Sequence, residues 1–421
     1  MDALALHHQG QIPLLRNKNF MLLFYGKLVS QLGDVIYNIA VGWYILSVTA
    51  SAIETAVFMA LGAVVYLVAA PYGGVMADKV SRKWLMVMTD LIRGGVMGIA
   101  CLIMFIGIES IWIFYILAII LSVCGALFVP ASNALIPLLV KEEQLTKANS
   151  MSASIQSVTN IFGLIAGGVL YTMLGVVGVL LLNALSYTLS GISEMFIEDV
   201  QSNNNEKPQR SSVIRDFGES MSYLKQKEGF YPLILVFGLI NLLITPVFAV
   251  YTPYIFNQVL KTDPLQYSFV GVAAAVGFLI GAGVLSALKT SGAIHRKIKL
   301  GLFLLSMIFV FILCLMISYS SGIMEASSVV TFFIVAAVVV GFSEAFIFIP
   351  VNVAVQKLPN HLLGRLSSLI QTLVMISVPI GLVAGGVVTD LFNMTTVLLV
   401  TTGLFILLTV SLFKVKSISA I

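Results

Sequence analysis

The sequence predicts an all-α membrane protein of twelve transmembrane helices, arranged as two pseudo-symmetric six-helix bundles with both termini in the cytoplasm. Three observations point there. The chain is 59% hydrophobic and only 10% charged, far below the roughly 25% charge of a soluble domain. Its mean hydropathy is +1.03, so water is not the solvent for most of its surface. Apolar runs of membrane-spanning length succeed one another along the chain, and the basic residues collect in alternate loops.

A helix that crosses about 30 Å of hydrocarbon at 1.5 Å per residue needs about 20 apolar residues. Twelve segments qualify, at 20–46, 54–77, 84–108, 111–136, 151–173, 177–196, 231–256, 267–288, 298–319, 327–349, 366–389 and 395–413. They are continuously apolar, where the strands of a membrane barrel would alternate over about ten residues. The first run opens near Phe20 after a polar head and outlasts a signal peptide, so it reads as an uncleaved span. With the amino terminus inside, 20 of the 23 Lys and Arg residues fall on one face, from Arg16 to Lys416, and only Lys261 on the other. The basic face is the cytoplasmic one.

Residues 197–230 form the one long polar interruption and divide the chain into halves at 1–196 and 231–421. Within it Val213, Phe217, Met221 and Leu224 recur at helical spacing, with Asp216 and Glu219 early and Lys225 and Lys227 late. That pattern suits an amphipathic linker helix at the membrane surface. The halves share internal sequence. Gly163-Leu-Ile-Ala-Gly-Gly-Val-Leu170 in the fifth span and Gly381-Leu-Val-Ala-Gly-Gly-Val-Val388 in the eleventh match at six of eight positions, and Leu145–Ser150 corresponds to Leu363–Ser368 at the same offset. Two parallel repeats, with a midplane site at their interface, are the expected reading. Gly163, Gly167, Gly381 and Gly385 are expected to pack helices closely.

Cys101, Cys124 and Cys314 lie in apolar runs without CxxC spacing or companion histidines, so buried thiols are expected, with no disulfide, metal or cofactor. The scattered basic residues exclude a nucleic-acid partner. The sequence has no Walker loop, HExxH or nucleophile elbow, which argues against an enzyme.

The loop after the second span reads Gly74-Val-Met-Ala-Asp78-Lys79-Val-Ser81-Arg82-Lys83. Asp78 stands at the carboxyl end of its helix, where the dipole disfavours an anion, so it needs a positive partner. Lys79, Arg82 or the amino end of the eleventh span, just after Arg365, would serve. This loop resembles the signature G-x-x-x-D-[RK]-x-G-R-[RK] of the major facilitator superfamily, with Ser81 in place of the second glycine. Ser30-Gln-Leu-Gly-Asp34, the stretch from Pro130 to Asn149, Leu363-Gly-Arg365 and Pro379-Ile-Gly381 extend the resemblance over essentially the whole chain, to the macrolide-efflux (drug:proton antiporter-3) branch. The resemblance implies a conformational latch at Gly74, Asp78, Lys79, Arg82 and Arg365. It also implies a central cavity lined by the first, fourth, seventh and tenth spans. Two features depart from the pattern: the fourth span lacks the arginine of many proton-driven exporters, and Leu164 stands where the antiporter motif has proline. Any proton coupling must run through another group.

Ionisable residues inside spans need a reason, since each costs roughly 2.5–3.5 kcal/mol at a helix centre. Lys27, Gln31, Asp34 and Asn38 form a polar stripe on the first span. Asp34 lies about 21 Å into the slab, and Lys27 is about 10 Å away along the axis, too far for a direct pair. Desolvated without an adjacent cation, Asp34 is the expected proton-coupling acid. Glu344 in the tenth span is expected in the substrate cavity with Gln31, Asn38, Asn133 and Asn241. Asp90 and Arg93 are spaced as a structural ion pair, Glu194 reads as interfacial, and Trp43, Tyr44, Tyr251 and Tyr254 as interfacial anchors. The function expected from the resemblance is secondary active efflux of amphipathic small molecules by proton-coupled alternating access, as a monomer in the cell membrane. A siderophore, peptide or lysolipid exporter in the same fold stays open, as does, more remotely, a transport-dead sensor or multipass enzyme.

Overall fold

In a computed structural model of the chain, residues 13–198, 230–287, 294–356 and 360–414 are described, and among them every long element is helical. The order is α1 (Lys18–Thr49), α2 (Ala52–Lys79), α3 (Arg82–Phe105), α4 (Ile111–Leu139), α5 (Leu145–Met195), α6 (Phe230–Pro246), α7 (Pro264–Ala287), α8 (Ile294–Ser320), α9 (Ala326–Gln356), α10 (Asn360–Leu391) and α11 (Met394–Lys414). Eleven described helices are long and apolar enough to cross a membrane, and large side chains such as Phe105, Leu102 and Leu407 stand exposed on their outer faces. Exposed apolar surface on this scale calls for lipid. The chain is a multi-pass membrane protein. The linker helix expected around 213–224 lies outside the described residues.

The 51 residues of α5 would run about 75 Å as one straight helix. Gly175 breaks it, with φ 64° and ψ −174°, a conformation costly for any residue with a Cβ. Contacts with α1 show that the chain reverses there. The added-methyl positions of Gly163 and Gly167 meet Val35 and Ile39 in ascending order, whereas Asn183 and Ser186 meet Gly33, Ser190 meets Gly26, and Ser193 donates to the Leu22 carbonyl. The two legs, 145–174 and 176–195, are therefore antiparallel.

Beyond α6 the helix widens into π turns at Val247–Tyr251 and Ile255–Val259. Pro246 and Pro253 lack the N–H that an α-turn needs, and Thr252 donates both its N–H and its hydroxyl, at 2.7 Å, to the Val247 carbonyl.

The chain forms two compact units. One comprises Met1–Ala40 and Val65–Glu206, the other Val41–Val64 and Lys207–Ile421. Each is held by glycines at helix crossings where a methyl group would strike the neighbouring backbone or side chain. In the first unit Gly73 of α2 abuts the Ala126 carbonyl of α4, and Gly163 of α5 abuts Val35 of α1. In the second, Gly277 of α7 abuts Val338 of α9, Gly341 of α9 abuts Ala274 of α7, and Gly381 and Gly385 of α10 abut Leu242 and Pro246 of α6. The crossings pair equivalent helices of the sequence repeat.

Not every aromatic expected at an interface is there. Trp43 is 5% exposed and stacks on Tyr267, and Tyr251 packs beside Gly385. Cys314, expected to be buried, lies on the exposed face of α8, because the run that carries it turns that side outward.

Candidate functional site

In the first unit small residues let three helices close on one another. A methyl at Gly33 of α1 would collide with Asn183 and Ser186, one at Gly26 would come within 3.1 Å of Ser190 Oγ, and one at Gly94 of α3 within 2.6 Å of Thr188 Oγ1. These approaches bring the polar face of α1 and Asp90 and Arg93 of α3 against the second leg of α5. The Tyr187 hydroxyl donates to Asp34 Oδ1. Arg93 Nη1 stands 3.3 Å from Asp90 Oδ1, and its guanidinium lies over the rings of Tyr187 and Phe128 at 5.2 and 5.4 Å. That stacking offsets part of the cost of a cation only 5% exposed.

Two expectations change here. The sequence leaves Asp34 without an adjacent cation; in the structure it lies in the field of Arg93, which is itself paired with Asp90. The cation comes from α3, and the stripe on α1 carries no information about it. Glu194 reads as interfacial in the sequence, but it is 0% exposed, and among the described residues no bond of normal geometry reaches its carboxylate oxygens. It lies inside because Gly26 of α1 leaves room for it: a methyl there would be 3.7 Å from Glu194 Oε1.

The other polar groups of this unit are more dispersed. Gln31 is part-buried with an unpartnered Oε1, Asn38 is exposed and donates to the Asp34 backbone carbonyl at 2.8 Å, and Asn133 is exposed on α4. In the second unit Glu344 of α9 is part-buried and, among the described residues, has no hydrogen-bond or ion-pair partner. Asn241 of α6 donates to its own helix at the Phe237 carbonyl, 2.8 Å away. Phe237 and Phe348 meet edge to face at 5.0 Å. Asn241 and Glu344 each lie one turn beyond that contact, at a common level.

The second unit also contains a cap that sequence reasoning missed. At the end of α10, Asp390 accepts from Ser51 Oγ at 2.5 Å, the Ala52 N–H at 2.7 Å and the Ile53 N–H at 3.1 Å. One carboxylate thus satisfies the first free amides of α2 from across the unit. Gly386 makes this possible, since a methyl there would lie 2.6 Å from Ala56 Cβ. Beside the crossing is an apolar cavity of about 670 Å³, lined by Val57, Leu61 and Val64 of α2 and Pro379, Ile380 and Val383 of α10.

The family model described as Major Facilitator Superfamily matches residues 23–381. The chain belongs to the major facilitator superfamily. Among individual relatives, Macrolide efflux protein A of Streptococcus pyogenes is 29% identical over 378 residues, covering 88% of this chain and 90% of the relative. The Enterococcus faecalis protein of the same name is 29% identical, covering 76% of this chain and 97% of the relative. In fold, the chain resembles a bacterial homologue of the iron transporter ferroportin in an inward-facing state, with a TM-score of 0.71 at 19% identity, over 96% of this chain and 99% of that one.

The superfamily's signature loop is partly visible. Ser81, in the place of the usual glycine, caps α3 by accepting from the Trp84 N–H at 3.5 Å. Arg82 donates to the Ala134 carbonyl of α4 at 3.2 Å, Lys79 is exposed, and the added-methyl position of Gly74 is open. The side chains of Asp78 and Arg365, and so their part of the expected latch, lie outside the described residues. A signal for Asp390 was present. It is an acid in the last turn of its helix, as Asp78 is, and the same dipole argument asks for a helix amino end as partner.

Proposed function

We propose that this superfamily member is a secondary active exporter of amphipathic small molecules, macrolide-like drugs or related compounds, driven by proton entry through alternating access. Asp34 is the coupling acid in this reading. The basic face of the chain is cytoplasmic. The single observation that carries the coupling role is the setting of Asp34, far along a membrane-spanning helix, held by the Tyr187 hydroxyl and in the field of Arg93. Two efflux-protein relatives at 29% identity support the direction and substrate class.

A proton that arrives at Asp34 competes for an oxygen that now accepts from Tyr187, and it leaves Arg93 to Asp90. Loading is thereby felt on α1, α3 and the second leg of α5 together. Two-state coupling needs an element of this kind, because a ligand shifts an equilibrium only by its differential interaction with the two states. Glu344, an unpaired carboxyl level with Asn241, is the candidate for meeting a cationic substrate group.

Export of a macrolide panel from cells lacking the native gene and expressing wild-type or Asp34→Asn protein, with and without a protonophore, tests the proposal. Asn mimics the loaded acid permanently. The variant is expected to reach the membrane but to lose uphill export and its protonophore sensitivity, while downhill exchange survives. Purified Asp34→Asn protein that still concentrates a macrolide under an imposed pH difference overturns the coupling role.

A further inference from the structure

The interior of the first unit holds three acids, Asp34, Asp90 and Glu194, and two buried cations, Lys27 and Arg93. Among the described residues only Arg93 pairs with one of the acids, Asp90, and its field also reaches Asp34 and Glu194, as that of Asp90 reaches Glu194. Asp90 and Glu194 are both 0% exposed. Lys27 follows Gly26 on α1, but among the described residues it pairs with none of the three. The other groups around Arg93 are the neutral Tyr66, Cys124 and Tyr187. Three ionised carboxylates around one guanidinium would leave two without an ion-pair partner in an apolar bundle, and burial of an unpaired charge is far more costly than protonation.

The hydrogen bonding singles out one carboxyl. Asp34 accepts from Tyr187 and Asp90 Oδ1 from Arg93, each as a carboxylate does. Among the described residues no bond of normal geometry reaches either oxygen of Glu194, Asp90 Oδ2 or the Ser190 hydroxyl, and the Ser190 hydroxyl is the donor that lies beside both acids. Ser190, only 1% exposed, sits beside both Asp90 and Glu194 on the face of α5 that also carries Tyr187. One hydroxyl proton cannot serve three unpartnered carboxylate oxygens, so a Glu194 carboxylate would keep bare oxygens in an apolar setting. A carboxylic acid brings its own donor, and acceptors lie next to it in Ser190 Oγ and Asp90 Oδ2.

We infer that Glu194 is a second proton-carrying carboxyl of this unit, protonated at neutral pH and linked through Ser190 and the Asp90–Arg93 pair to Asp34. The inference rests on the coupling role of Asp34 only for its bearing on transport. When Asp34 loses its proton and draws on Arg93, Asp90 loses part of its counter-charge, and the Glu194 proton supplies what Arg93 withdraws. With Glu194 protonated, loss of the Asp34 proton leaves one net negative charge among Asp34, Asp90, Glu194 and Arg93 instead of two.

Infrared spectra of the purified full-length protein at neutral pH, in light and heavy water, read protonated carboxyls directly. The wild type is expected to show a protonated-carboxyl stretch that Glu194→Gln removes, one carboxyl's worth of intensity, while Asp34→Asn keeps it. Ser190→Ala is expected to shift the frequency of that same component by removing its neighbour. A wild-type spectrum without protonated carboxyl, or a Glu194→Gln spectrum unchanged in that region, overturns the inference. If Glu194→Gln does not fold, the Ser190→Ala spectrum decides, and the absence of a shift is the negative result. Failure of the coupling proposal is distinguishable: Asp34→Asn would then keep gradient-driven export, with the Glu194 component intact in both spectra.

Discussion

At the scale of single residues, the described interior separates two kinds of buried acid. Asp34, Asp90 and Glu194 are bound into a network with Arg93, whereas Glu344 stands alone among the described residues. In the proposed reading, that lone carboxyl is the group that meets a cationic substrate. Glu344→Gln is therefore expected to weaken export of cationic compounds about tenfold or more, the worth of a charge-assisted hydrogen bond of about 1.5–3 kcal/mol, with much less effect on neutral ones. Concentration dependence of export for matched cationic and neutral compounds checks this, and equal losses for both classes would make Glu344 a structural residue. Asp34 was legible in the sequence because a polar stripe on an apolar helix is a one-dimensional signal. Its partners Tyr187 and Arg93 were not, since they come from helices more than fifty residues away and periodicity within α1 carries no trace of them. Glu194 misled for a related reason: its place near the end of a span suggests solvent, and only the small residue opposite, Gly26, puts it inside.

At the scale of elements, the apolar runs located the helices well, because a bilayer sets both their length and their composition. What escaped was how one helix end is completed by another. At the amino end of α2 Ser51 Oγ accepts from the Glu54 N–H at 3.4 Å, and the carboxylate of Asp390 completes the cap from 338 residues away. Asp390→Ala is expected to lower stability by about 0.5–2 kcal/mol, the usual worth of such a cap, and Ser51→Ala by less, since two amide contacts remain. Thermal unfolding of the purified variants measures both. An unchanged midpoint for Asp390→Ala would mean that water replaces the carboxylate at no cost. The π turns after Pro246 were not legible either. Proline forecasts a missing hydrogen bond, but whether the helix kinks, stops or widens depends on the neighbour, here Gly385 with space for Tyr251 beside it.

For the whole molecule, the repeat in the sequence has a counterpart in the packing, with Gly163 on α1 in one unit and Gly381 on α6 in the other. The orientation rests on charge alone: a cysteine at Lys261 is expected to react with an impermeant thiol reagent added outside intact cells, and one at Lys207 to remain unreacted. The reverse pattern would invert the topology. The reversal at Gly175 has a bearing on how such a protein is made. The stretch Tyr171-Thr-Met-Leu-Gly-Val-Val-Gly178 contains no charged residue, as an outer turn would not, and its tightness rests on one backbone torsion. Gly175→Val, in a place where no steric neighbour lies within 4 Å, would strain the reversal through its backbone alone, since a β-branched residue rarely adopts a positive φ. The basic loops on either side would still hold the later segments to their sides, so Lys207 is expected to stay protected and Lys261 labelled. Closure of the hairpin, rather than the direction of insertion, would be what this glycine guards.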